Sequence, residues 1–117
     1  AYALMKVLNQ DFKIKRFKLI VNMVQGPREA MAVYNHLVNV TDRFLNIQIE
    51  YLGHILFDRK VNQSVMNRRV VCDSWPDSNA AKCFETVTKC LIETPSKNDV
   101  TGNVQLFWRN LLGEVSL

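Results

Sequence analysis

Leu19, Ile20 and Val21 form an unbroken apolar run that begins at Arg16-Phe17-Lys18, passes Asn22-Met23-Val24 and stops at Gln25-Gly26-Pro27. Consecutive rather than alternating apolar residues are how a strand reads when both faces are covered, so residues 17–24 are predicted to be a buried strand. Pro27 suits the first turn of a helix, where its missing N–H costs nothing. Ala30, Val33, Tyr34, Leu37, Thr41, Phe44 and Leu45 then keep the spacing of one helical face across residues 27–45. A second strand follows at 47–57. Ile47, Ile49 and Tyr51 alternate, and Leu52, Ile55, Leu56 and Phe57 read as buried on both sides. Strand, long helix and strand together predict a right-handed parallel crossover. Ligands of open α/β sheets sit at the carboxyl ends of the strands, which is where Asn22 falls.

The flanking segments are helical in pattern. Residues 1–10 place Leu4, Val7 and Leu8 on one side of a helix, and 11–15 form a polar connection. Asp58 is suited to cap a helix reaching about residue 68, with Val61, Val65 and Met66 inward. Residues 70–72 read as a short extended piece and 73–77 as a turn, after which Ser78 caps a helix over 79–92. Pro95, Ser96, Asn98, Asp99 and Gly102 give 93–103 a linker composition. Residues 104–117 form a last amphipathic helix, with Val104, Phe107, Trp108, Leu111, Leu112 and Val115 on one side. The expected division is thus 1–92, a linker over 93–103 and a tail helix over 104–117. Two strands cannot bury this many amphipathic helices. The sheet is therefore expected to be completed by other sequence or by a second copy of the chain.

Composition narrows the class. At 117 residues, 48% hydrophobic and 22% charged, the chain is at most one globular domain. No apolar stretch is long enough to span a bilayer. Residues 1–8 lack the basic segment and cleavage site of a signal peptide. They read as the end of a helix, without an initiating methionine, so a fragment is expected. The net charge is +4, with one basic cluster at Lys13, Lys15, Arg16 and Lys18 and another at Arg59, Lys60, Arg68 and Arg69. Such clusters either face nucleic acid or acidic lipid or are ordinary solvated surface. Cys72, Cys83 and Cys90 contain no C-x-x-C pair and read as reduced thiols, Cys83 and Cys90 sharing a buried helix face. His36 and His54 have no neighbouring ligand set, which argues against a metal site.

Four stretches in register carry a resemblance: Asn22-Met23-Val24, Val40-Thr41-Asp42-Arg43-Phe44-Leu45, Tyr51-Leu52-Gly53-His54-Ile55-Leu56-Phe57-Asp58, and Ser78-Asn79-Ala80-Ala81-Lys82-Cys83-Phe84. They resemble the C-terminal half of the MinD/ParA class of deviant P-loop (SIMIBI-type) ATPases, nearest within it to the flagellar-number regulators of the FlhG/FleN group. The resemblance implies an α/β fold, here two parallel strands flanked by helices as part of a larger sheet. It also implies ATP/ADP binding, ATP-dependent homodimerisation and slow hydrolysis at a membrane. By resemblance Asn22 contacts the adenine base, and Phe57 and Asp58 line its pocket. The family usually has proline where this chain has Leu56. The chain contains no G-x-x-x-x-G-K-[ST], so nothing in it is suited to cradle triphosphate or hold Mg²⁺, and alone it is expected not to hydrolyse ATP.

MinD-like proteins end in an amphipathic helix that lies in the membrane interface. The resemblance gives that role to Phe107, Trp108, Leu111, Leu112 and Val115, although Arg109 is the segment's single cation. A helix docked on the protein itself or on a partner is the alternative. The implied location is cytoplasmic, peripheral to the inner face of the cell membrane. The implied partners are a second copy, the flagellar GTPase FlhF, flagellar switch proteins and a flagellar transcription activator. Two other readings stand beside this one: a non-catalytic protein-interaction module, and a ParA-like DNA-partitioning protein. The apolar tail counts against nucleic acid.

Overall fold

The computed structural model describes residues 1–93, and the expected linker and tail helix lie outside them. The element order is α1 (Tyr2–Phe12), β1 (Arg16–Val24), α2 (Pro27–Phe44), β2 (Gln48–Leu56), α3 (Arg59–Met66), α4 (Val71–Ser74) and α5 (Asn79–Glu93). The strands pair in parallel through the α2 crossover, from Arg16↔Gln48 through Leu19↔Tyr51 to Val24↔Leu56. The result is an α/β unit with helices flanking a two-stranded sheet whose outer edges are unpaired among the described residues.

The core lies on both faces of this pair. Met5 of α1, Leu45 and Ile49 pack with Phe17, Leu19, Tyr34 and Leu37. Val21, Val24 and Ala30 continue that layer toward the strand ends. On the other face Ile55 packs against Ala80 and Val87 of α5. A bulge separates the two arrangements: Leu19 pairs with Tyr51 but Ile20 with Gly53, leaving Leu52 as the extra residue. Two successive residues, Leu52 and Gly53, therefore point to the α5 side. Gly53 is required there. Its φ is 158°, and a Cβ would stand 2.8 Å from Val87 Cγ2.

Several expectations are corrected. Among the described residues β1 is not covered on both faces: Ile20 is 43% exposed, and Arg16, Lys18 and Asn22 share its open side. The reason is that α5 lies over β2 rather than β1. In α1, Met5 is buried while Leu4 and Val7 are exposed, so the helix is rotated relative to the expected face. In α2, Val33 and Phe44 face solvent, and Ala30, Thr41 and then Leu45 do the burying. In α3, Val65 and Met66 are exposed, and the buried residue is Ser64, whose hydroxyl donates to Lys60 O at 2.8 Å. Of residues 70–72 only Val70, the residue before the next helix, is extended. Val71–Ser74 is one helical turn, closed by Ser74 N–H to Val70 O at 3.1 Å and Trp75 N–H to Val71 O at 2.8 Å. Cys83 packs partly into the α5 cluster, whereas Cys90 is exposed, because α5 runs past the short sheet.

Candidate functional site

Both strands end at the same edge, and their turns are tied together there. Phe57 N–H donates to Val24 O at 2.8 Å, joining the chain after β2 to the end of β1. Met23 takes a left-handed conformation (φ 57°), and its N–H donates to Asn22 Oδ1 at 2.9 Å. That bond fixes the side chain of Asn22 at the carboxyl edge, exposed. Its amide nitrogen has no partner among the described residues, so the group keeps two donors and a second acceptor position for a ligand. Gln25 N–H donates to Glu29 Oε2 at 2.6 Å and holds the turn into α2.

Phe57 follows directly, with 43% of its surface exposed and its ring open to a planar partner. Met23, 63% exposed, adds a second apolar side chain at this edge. The strand end marks Asn22, and the family resemblance marks Phe57, which the apolar pattern reads as buried in the second strand; Phe57 is instead exposed just past the end of β2. Neither marks Met23, whose exposure comes from a backbone twist that periodicity does not reveal.

Asp58 does different work. One oxygen accepts from Lys60 N–H at 2.9 Å, capping α3, and the other accepts from Ala80 N–H at 3.1 Å in the first turn of α5. The Lys60 amide, then the Ala80 amide, hold its carboxyl below the usual carboxylate range. Of the three residues carried over from the family resemblance, Asn22 and Phe57 present free surface. Asp58 is engaged in positioning the helices behind them.

Beside Asp58 an open groove of about 550 Å³ runs between the starts of α3 and α5. Lys60 Nζ lies 4.8 Å from the centre of the Trp75 ring, a cation–π contact that forms one wall. Ser78 Oγ caps α5 by accepting from Ala81 N–H at 3.2 Å. The Ser74 hydroxyl, also in the wall, is buried without a partner among the described residues. Asn22 and Phe57 are not part of this groove. Trp75 and Lys60 are fifteen positions apart, which is why reading along the chain missed their contact.

On the α2 side of the sheet, Tyr51 OH is 2.8 Å from His54 Nδ1, and Tyr34 OH donates to Ile49 O at 3.0 Å. Burial raises the Tyr51 phenol pKa. Among the described residues, no three His, Cys, Asp or Glu side chains gather into a metal site, and no helix is long and apolar enough to cross a membrane.

Comparison with known proteins gives one similarity over nearly the whole chain. The chain is 34% identical over 112 residues to the antiactivator FleN of Pseudomonas aeruginosa. This chain is similar to FleN. The match takes in 96% of the chain and 40% of FleN, so the chain spans less than half the length of its relative. No family model matches it. Similarity to FleN that extends over nearly every described element agrees with the parallel α/β unit, and the edge carrying Asn22 and Phe57 lies within it.

Proposed function

We propose that this chain is the C-terminal part of a FleN-like, MinD/ParA-type ATPase that regulates flagellar number, and that it supplies the adenine-facing wall of the nucleotide site. The observation that carries the reading is Asn22, fixed by Met23 N–H at the carboxyl edge of a parallel pair in a chain similar to FleN. Its free amide is suited to a base edge, and Phe57 to the face of the ring. Asp58 positions Phe57 by clamping α3 and α5 rather than by touching the base. Bound ATP, with Mg²⁺, would supply the energy of a dimerisation cycle. The triphosphate and metal would be held by residues other than those of this chain.

In this reading the protein dimerises with ATP and acts, as an antiactivator, on a flagellar transcription activator, with FlhF and flagellar switch proteins as further partners. It is cytoplasmic and rests on the inner face of the cell membrane through Phe107, Trp108, Leu111, Leu112 and Val115. Saturation-transfer NMR with AMP and GMP tests the base pocket. AMP should give transfer and GMP markedly less, and Asn22→Ala should weaken AMP binding about 3–10-fold, the range for one lost hydrogen bond. Equal transfer from both nucleotides, unchanged by Asn22→Ala, would refute the assignment.

A further inference from the structure

The second basic cluster belongs to no part of the nucleotide reading, and its surroundings are unusual. Between Arg59 and Cys72 the chain holds four cations and no carboxylate. The end of α3 turns back through paired bonds, Arg68 N–H to Val65 O at 3.0 Å and Arg69 N–H to Ser64 O at 2.9 Å. This is a Schellman ending, in which glycine ordinarily takes the left-handed position. Here that position is Arg68, with φ 53°. The turn brings Arg69 and Val70 back along the last turn of α3.

Three apolar side chains project at this corner: Val65, Met66 and Val70 are 70%, 83% and 61% exposed. Arg59, Arg68 and Arg69 form no ion pair among the described residues, and Lys60 lies over Trp75. The flanking carboxylates do not neutralise the corner. Asp58 is engaged by two helix starts, and Asp73 stands beyond the turn, on α4.

We infer that the α3–α4 corner is a docking surface for an anionic lipid bilayer. Charge complementarity and shape both favour a bilayer over an acidic protein. The exposures describe a protrusion, and a protein partner would need a cavity to receive it. A lipid interface deforms around a convex apolar tip, and anionic headgroups meet the surrounding guanidinium groups. An exposed apolar set rimmed by cations is also what marks an interaction site rather than scattered surface hydrophobes. The inference stands apart from the nucleotide pocket and from the expected tail helix.

The test is cosedimentation of the full chain with vesicles of phosphatidylglycerol and phosphatidylcholine, compared with phosphatidylcholine alone. The corner variants are Arg68→Gly with Arg69→Ser, and Met66→Ser with Val70→Ser. Each is made with the native tail and with Trp108→Asp and Leu112→Asp. Removing the two cations should lower partitioning into anionic vesicles roughly fivefold per cation. That loss should persist in the tail variant, and the urea midpoint should not fall, because glycine relieves the left-handed position. Binding lost with the tail substitutions but indifferent to both corner variants would overturn the corner and leave the tail reading standing. Equal binding to neutral and anionic vesicles would also overturn it, as would binding only to an acidic protein.

Discussion

The Asp58 carboxylate accepts from two backbone amides that are 20 residues apart, Lys60 and Ala80, and so joins the beginnings of α3 and α5. Its folded-state pKa is lowered chiefly by the Lys60 amide, so its stabilising contribution is full above the ordinary carboxylate pKa and is lost as pH falls through the folded value. Urea unfolding at a series of pH values should show this acid-side loss in the wild type and a smaller one in Asp58→Asn. Asp58→Ala should cost about 1–2 kcal/mol near neutral pH, as expected for losing a helix cap. Identical pH profiles for wild type and Asp58→Asn would remove the double clamp. The capping of α3 was legible from Asp58 alone, since the cap is local. The second bond was not, because nothing in the spacing of residues 58 and 80 announces that α5 begins beside β2. Asn22 was legible for the opposite reason: its place is set by where one strand stops.

At the scale of elements, the close packing of α5 on β2 leaves no room for a side chain at Gly53. The bulge turns Gly53 toward α5, and Val87 Cγ2 occupies the space a Cβ would need. Gly53→Ala should therefore destabilise by about 1–3 kcal/mol through overpacking, on top of strain at a positive φ. A thermal midpoint unchanged from wild type would contradict this packing. The long helix α2 and its crossover were readable because eighteen residues give the helical period room to declare itself. Val71–Ser74 was misread because Val70 and Val71 favour extended backbone, while the turn is fixed by bonds from Ser74 and Trp75. Helix faces were read less well than helix positions. Thr41 and Ser64 are buried because their hydroxyls return to carbonyls of their own helices, at Val38 and Lys60, a use that apolar spacing ignores.

At the scale of the molecule, the described residues form a two-stranded parallel sheet, with α1 and α2 over one face and α5 over the β2 half of the other. The exposed Ile20 and the unpaired edge of β1 agree with the expectation that this pair does not complete a sheet by itself. What the geometry does complete is one edge, where Val24 O and Phe57 N–H lock two turns and hold Asn22 outward. The most direct test of the nucleotide reading is an amide-resolved NMR titration of the chain with AMP. The Asn22 side-chain amide and the backbone signals of Met23, Phe57 and Asp58 should shift together and saturate, with Arg16 and Gln48 at the opposite strand ends unmoved. Saturable shifts confined to the Trp75 groove or to the amino ends of the strands, with Asn22 silent, would contradict it.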